Sequence, residues 1–275
     1  MSLSPLRLCR SLLFLPGSNP RAIEKARQLP ADMIILDCED SVKPGEKDVA
    51  RSAAVEASRQ GYGGRPVAIR VNGSESPWHQ ADLAAVAGSR ADYVVLPKAQ
   101  SAAEVSVVAD RGGKPVLAMI ETPAAVIGAA SIAVPSAGLI AGSNDLAAAL
   151  GLPPSGGRMG LTHALQAIVM AARAASGAAF DGVCNRLDDQ EELVAQCREG
   201  RAFGFDGKTL IHPNQIEAAN LHFSPSPEEV EVARRLIAAA TGGAERFEGR
   251  MIESMHVAEA RAVLAKARVE PFAAG

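Results

Sequence analysis

Eight short apolar runs, each followed by a stretch long enough for one helix and two loops, limit what this chain of 275 residues can fold into. The runs cover 12–15, 33–36, 67–71, 93–96, 116–120, 138–141, 179–184 and 203–205. They are rich in β-branched residues and apolar at consecutive positions. That is the pattern of parallel strands buried on both faces, not of strands with one wet face. The segments between them carry helix-start signals: Asn19-Pro20 offers a cap with proline at the first helical position, and Ser101-x-x-Glu104, Asp188-x-x-Glu191 and Ser226-x-x-Glu229 have capping-box spacing. The stretch 161–176 is a strongly apolar helix suited to packing on a sheet.

Eight strand–helix units predict a (β/α)8 barrel, an α/β fold. The rival is an open doubly wound sheet. No G-x-G-x-x-G follows a strand and there is no P-loop, and eight strands favour the barrel. The catalytic barrel is assigned to 1–222. Helices expected at 214–221, 227–240 and 255–268, with Thr241-Gly242-Gly243 as a hinge, make 223–275 a C-terminal helical arm, either part of the same domain or exchanged between subunits.

Composition removes several function classes. The formal charge is −3, spread without long runs of one sign, so no nucleic-acid groove is indicated. The four cysteines, Cys9, Cys38, Cys184 and Cys197, form no CxxC pair, which argues against a zinc site or a disulfide framework. No transmembrane run is present and 12–15 is too short for a signal segment, so a cytoplasmic protein with no membrane partner is expected.

A barrel enzyme carries its chemistry where strands end at the C-terminal face. Charged residues gather at those predicted ends: Asp37, Glu39 and Asp40 after the second run, Arg70 in the third, Lys98 after the fourth, Glu121 after the fifth, Asp145 after the sixth, and Asp206 and Lys208 after the eighth, with His212 beyond. Each has a plain structural alternative. Asp145 would cap a helix at 146–150, Arg70 would pair with Asp37 or Glu39, Lys98 and Lys208 would be solvated rim residues, and His212 would pack a loop. Thr122 already fills the capping role beside Glu121. Their shared position is what argues for function. Carboxylates without Cys or His neighbours suit a hard cation, and Mg2+ takes one or two carboxylates plus waters and substrate oxygens. Glu121 and Asp145 are the expected metal ligands. Asp37, Glu39 and Asp40 would order the metal-bound waters, and Arg70 would hold a substrate carboxylate in a bidentate fork. Such a set suits a 2-keto or 2-hydroxy acid.

The stretches Leu13-Phe14-Leu15-Pro16-Gly17-Ser18, Leu36-Asp37-Cys38-Glu39-Asp40-Ser41-Val42, Ile69-Arg70-Val71-Asn72, Leu96-Pro97-Lys98, Ile120-Glu121-Thr122-Pro123, Asp145-Leu146-Ala147, and Gly204-Phe205-Asp206-Gly207-Lys208 with Ile211-His212-Pro213 follow one another in order. Together they resemble the citrate lyase β-subunit family, with its malyl-CoA and citramalyl-CoA lyases, over roughly residues 10 to 265. The resemblance implies a Mg2+-dependent carbon–carbon lyase acting on a 3-hydroxyacyl thioester of CoA or of an acyl-carrier protein, and a homotrimer or a multiple of it. It makes Glu121 and Asp145 the metal ligands and Arg70 the charge-stabilising substrate residue. Glu39 and Lys98 are also expected at the substrate. The resemblance places Arg21 and Lys25 near the CoA phosphates. The family's Met-Ile-Asp-x-Pro segment is here Met251-Ile252-Glu253-Ser254-Met255. Glu253 keeps a carboxylate, one methylene longer, as the candidate acid that protonates the thioester enolate of a neighbouring subunit.

Three other readings stay open. One is a metal-dependent aldolase joining pyruvate to an aldehyde. Another is a Schiff-base aldolase using Lys98 or Lys208. The third is a non-catalytic subunit of a lyase complex.

Overall fold

A computed structural model describes residues 4–153 and 157–267. Eight parallel strands close into a barrel in chain order: β1 (Ser11–Pro16), β2 (Met33–Asp37), β3 (Val67–Arg70), β4 (Tyr93–Leu96), β5 (Val116–Ile120), β6 (Gly138–Ala141), β7 (Ala178–Asp181) and β8 (Gly207–Leu210). Closure is made by β1 against β8, with Ser11 opposite Lys208 and Leu13 opposite Leu210. The connecting helices are α1 (Pro20–Lys25), α2 (Lys47–Gln60), α3 (His79–Ala87), α4 (Ala102–Gly112), α5 (Pro123–Ile127), α6 (Ala129–Ala133), α7 (Ser143–Ala149), α8 (Thr162–Ala174), α9 (Gln190–Phe203) and α10 (Ile216–His222). The protein is a (β/α)8 barrel.

Strand periodicity sorts the side chains into two layers, because successive residues point to opposite faces. Leu12, Phe14, Met33, Ile35, Ala68, Val95, Leu117, Met119, Ile140 and Phe180 fill the barrel interior. Their neighbours Leu13, Ile34, Leu36, Ile69, Val94, Leu96, Leu139 and Leu210 pack outward against the helices. The same parity makes Asp37, Arg70, Glu121 and Thr209 inward-facing at the top, and Lys208 outward-facing.

Three of the four expected capping residues, Asn19, Ser101 and Ser226, cap their helices. Asn19 accepts from the Ala22 N–H at 3.1 Å with Pro20 next in line, and Ser226 and Glu229 form a complete capping box. Ser101 accepts from Glu104 N–H, but the Glu104 carboxylate turns to the Gln100 N–H, so that box is only half made. The expected box at Asp188 moves one residue on: Asp189 caps α9 by accepting from Glu192 N–H at 3.0 Å.

The eighth strand lies at 207–210, not at 203–205. Phe203 is the last residue of α9, and Gly204 ends that helix in the left-handed region at φ +96°, where glycine avoids the Cβ penalty. The true strand, Gly-Lys-Thr-Leu, was hidden because its lysine is neutralised within the fold rather than replaced by an apolar residue. Asp206 therefore stands at the start of β8, on the face opposite the strand C-termini, where it pairs with Arg7 and Arg173. The seventh strand is also shorter than 179–184.

Beyond α10 the arm consists of α11 (Pro227–Ala239), a hairpin of β9 (Glu245–Phe247) and β10 (Arg250–Ile252), and α12 (Ser254–Ala267). The hairpin occupies the segment after the Gly242-Gly243 hinge. Ala233, Leu236, Phe247, Ile252 and Ala260 form a small core of its own. Lys266 of α12 donates to the Asp206 carbonyl, tying the arm to the base of the barrel. The last residue of the helix expected to reach 268, and the arm from there to 275, lie outside the described residues. Among the described residues no helix is long and apolar enough to cross a membrane.

Candidate active site

At the C-terminal ends of the strands a cavity of about 340 Å³ opens, lined by Phe14, Asp37, Asp40, Arg70, Met119, Glu121, Gly142, Asn144, Asp145, Asn185, Thr209 and Ile211 among others. Its floor is an ion pair. Arg70 donates from Nε and Nη2 to the two carboxylate oxygens of Asp37, both at 2.7 Å, and its guanidinium lies 4.7 Å from the Phe14 ring centroid. Asp37 also accepts from Ser41 and from the Glu39 N–H. Burial works against the Asp37 charge, but the Arg70 guanidinium outweighs it and holds the carboxyl below the usual carboxylate range.

The fork of Arg70 that was expected for a substrate carboxylate is thus taken by Asp37. What remains toward the cavity is the end-on edge of Nη1 and Nη2. Nη1 lies 3.1 Å from Glu39 Oε2, a buried oxygen with no aligned hydrogen bond. The structural alternative for Arg70 holds with both acids, and Nη1 also donates to Met119 Sδ at 3.9 Å.

Glu121 follows β5 and is buried; Asp145 sits in the first turn of α7 and is exposed. Asp145 does not cap that helix, because the capping position is Gly142 and no side chain bonds there. The two carboxyl groups lie within hydrogen-bonding reach of each other. Burial, opposed by the hydrogen bond from the Lys98 N–H and reinforced by Asp145, pushes Glu121 up to about 8. Gly142 makes the room. A Cβ there would stand 2.3 Å from Glu121 Cβ and 2.7 Å from its Oε2.

Burial also raises Glu39, against the pull of Arg70. Its Oε1 lies 3.2 Å from Lys98 Nζ. Glu39 and Lys98 line a neighbouring cleft of about 570 Å³ that meets the cavity at Asp40. Lys47, a residue without a sequence motif, is buried and donates to the carbonyls of Cys38 and Glu39 and to Asn72 Oδ1 at 2.7–2.9 Å. It fixes the backbone from which Glu39 and Asp40 project.

The remaining candidates lie elsewhere. Lys208 points away from the cavity, fully buried, 2.9 Å from Asp181 and also donating to the Gly182 carbonyl. Arg158 makes two further bonds to Asp181. Lys208 is no solvated rim residue. A lysine so bound cannot form a Schiff base, and Lys98 is raised above its usual value by Glu39 despite some burial, the wrong direction for a neutral amine. His212 is exposed and accepts from the Asn214 N–H in its own loop. Arg21 and Lys25 project from α1 into solvent and do not line the cavity. Glu253 is exposed on the arm and does not line it either. The four cysteines are buried free thiols, and burial pushes Cys9 up to about 12 and Cys197 to about 11, which disfavours the thiolate at those two.

The family model described as HpcH/HpaI aldolase/citrate lyase matches residues 10–213. The chain belongs to this family. It is 43% identical over 268 residues to a (3S)-malyl-CoA thioesterase of Cereibacter sphaeroides, covering 94% of each chain. It is 33% identical to the citrate lyase subunit beta of Leuconostoc mesenteroides subsp. cremoris, covering 94% of this chain and 93% of the relative. Among solved structures, the CitE protein of Mycobacterium tuberculosis in complex with magnesium, acetoacetate and coenzyme A superposes with a TM-score of 0.81 at 34% identity, over 95% of this chain and 99% of that one.

In this member of the HpcH/HpaI aldolase/citrate lyase family, no group of three or more His, Cys, Asp or Glu among the described residues is arranged to hold a metal. Two facing carboxylates, one of them buried, still fit Mg2+, which keeps several waters and binds few protein groups. Zinc would demand more and softer ligands. A cation at Glu121 must displace the proton that burial favours. Mg2+ binding should therefore release protons below about pH 8, tighten as the pH rises toward that value and level off above it. Calorimetry in buffers of different ionisation enthalpy reads this directly. Binding heats that do not depend on the buffer would show that Glu121 is already ionised.

Proposed function

We propose that the chain is a Mg2+-dependent lyase that breaks the C2–C3 bond of a malyl-type 3-hydroxyacyl-CoA thioester, giving a 2-keto acid and an acyl-CoA. The observation that carries this reading is the facing Glu121 and Asp145 carboxylates in one cavity with Arg70, whose side-on edge is held by Asp37. Two relatives support it: one is named for (3S)-malyl-CoA, and the other has magnesium, acetoacetate and coenzyme A in its structure.

Glu121 and Asp145 would hold the ion. When bound, Mg2+ supplies Lewis-acid stabilisation of negative charge on the hydroxy-acid oxygens. The end-on edge of Arg70 takes the substrate carboxylate, and Asp37 keeps the guanidinium from turning away. Burial of this floor strengthens each charge interaction on the substrate. The acyl-CoA forms as a thioester enolate and needs a proton at C2. Glu253 of a neighbouring subunit in a trimer is the proposed donor, because in its own chain it lies away from the cavity. Arg21 and Lys25, exposed on the helix after β1, are the proposed partners of the CoA phosphates.

A second reading is favoured by the 43% identical relative, whose name is that of a thioesterase. The same floor would hold the hydroxy acid while water attacks the thioester carbonyl.

The assay is a panel of malyl-, citramalyl- and citryl-CoA with Mg2+ and with EDTA. Keto acid and acyl-CoA should form from the malyl compound, and EDTA should abolish their formation. Hydroxy acid plus free CoA thiol would establish the hydrolase reading. Turnover only of a carrier-protein thioester, only of pyruvate with an aldehyde, or of nothing without a partner protein would contradict the proposal. Glu253→Gln should slow turnover by about 100-fold, the scale of a lost proton donor, with Mg2+ affinity intact. A full rate in that variant would remove Glu253 from the role.

A further inference from the structure

Two side-chain amides face each other at the mouth of the cavity. Asn144 follows β6 and Asn185 follows β7. Asn144 Nδ2 donates to Asn185 Oδ1 at 3.2 Å, and Asn185 Nδ2 donates to Asn144 Oδ1 at 2.6 Å. Both line the cavity and both are exposed, whereas Glu121 and Asp37 below them are buried. A primary amide carries two N–H donors, and reciprocal pairing uses one from each, so each residue keeps one N–H to offer.

Apart from the Ser143 hydroxyl, which is the rival donor, most other polar side chains of this wall are spoken for or have the wrong charge. The Ser41 hydroxyl donates to Asp37 and the Thr209 hydroxyl to the Asp181 carbonyl. Arg70 lies at the floor, held side-on by Asp37, and its end-on edge is the one assigned to the substrate carboxylate rather than to the thioester. Most of the rest are carboxylates, which repel a developing anion. The cavity, about 340 Å³, takes the hydroxy-acid end of a substrate, but coenzyme A is much larger and must stay outside. The thioester group then lies at the mouth, at the level of the amides.

We propose that the Asn144–Asn185 amide pair is the oxyanion site of the enzyme, with the spare N–H of Asn185 donating to the thioester carbonyl oxygen. The inference rests on the thioester reading above. In the cleavage step the C3 hydroxyl proton passes to a cavity carboxylate and C3–O becomes a carbonyl. The C2–C3 bond breaks, its electron pair forms the C1–C2 double bond, and the C1 carbonyl pair moves onto oxygen. That oxygen gains a full negative charge within a wall of carboxylates, where a neutral, fixed donor stabilises it without attracting the acidic groups. In thioester hydrolysis the same oxygen carries the charge of the tetrahedral intermediate, so the site serves either outcome. Bridging the first turn of α7 and the loop after β7, the pair also holds its donors in place before the reaction.

The test is steady-state turnover of malyl-CoA by wild type, Asn185→Ala and Ser143→Ala, together with inhibition by glyoxylate and pyruvate and the calorimetric affinity for Mg2+. Loss of an oxyanion donor costs about 100-fold or more in kcat. Asn185→Ala should show that loss with KM, keto-acid inhibition and Mg2+ affinity little changed, because those readouts belong to the floor. Asn185 is exposed, so its truncation leaves the core intact, and an unchanged thermal melt verifies this. A wild-type kcat in Asn185→Ala overturns the proposal, as does the same loss appearing in Ser143→Ala instead, which would assign the donor to the Ser143 hydroxyl. A wild-type protein that turns over no CoA thioester overturns the thioester reading itself, and this proposal with it.

Discussion

The Arg70–Asp37 ion pair is a charge placed inside an apolar barrel, and the site depends on its being neutralised there. The interior below it is Leu, Ile, Val, Ala, Met and Phe, with nothing to solvate a guanidinium. Asp37 on the adjacent strand meets two of its nitrogens in register, since Asp37 and Arg70 are paired across β2 and β3. Removing one member of such a buried pair typically costs about 3–5 kcal/mol, because the other is left unpaired. The geometry is correspondingly rigid: the side-on edge is fixed, and only the end-on edge can meet a substrate. The arginine proposed to meet the substrate is held by the same forces that would make it merely structural.

A second charge cluster shows how closely structure and function can resemble each other in a sequence. Asp181, Lys208 and Arg158 are as polar as the site residues, and as near to strand ends. Strand parity turns Lys208 outward between barrel and helices, where it stabilises the junction of β7 and β8 and touches no cavity. On the inward side, Glu121 crosses into the cavity only because Gly142 presents no side chain to block it. A hydrogen bond from the Lys98 backbone then orients its carboxylate, with Lys98 itself in the left-handed region at φ +52°, a conformation uncommon for a non-glycine residue.

The barrel was legible because seven of its strands are apolar runs, and burial on both faces leaves unbroken apolar stretches in a sequence. The eighth was not: Gly-Lys-Thr-Leu depends on a long-range partner, Asp181, to be strand-like. The hairpin of β9 and β10 was missed because its three-residue strands sit in a Gly-rich, charged segment with no clear alternation. In the site, the gathering of Asp37, Arg70, Glu121 and Asp145 followed from their places at strand ends. That the Arg70 fork belongs to Asp37 did not, since pairing geometry is set by register. Lys47 and Gly142 carried no motif, although a glycine just after an apolar run marks a place where backbone and a neighbour come close. Neither Arg21 and Lys25 nor Glu253 is brought to the cavity within one chain.

The central claim, that Glu121 and Asp145 together bind the catalytic cation, is tested most directly by titrating Mg2+ into Glu121→Gln and wild-type protein at one pH by calorimetry. The amide keeps the shape of the side chain and removes its charge. The account predicts affinity weakened by about 100-fold or more, beyond the loss seen when only a supporting residue is changed, with proton release abolished and the fold retained. Wild-type affinity in Glu121→Gln, or no Mg2+ binding by the wild type, would contradict it.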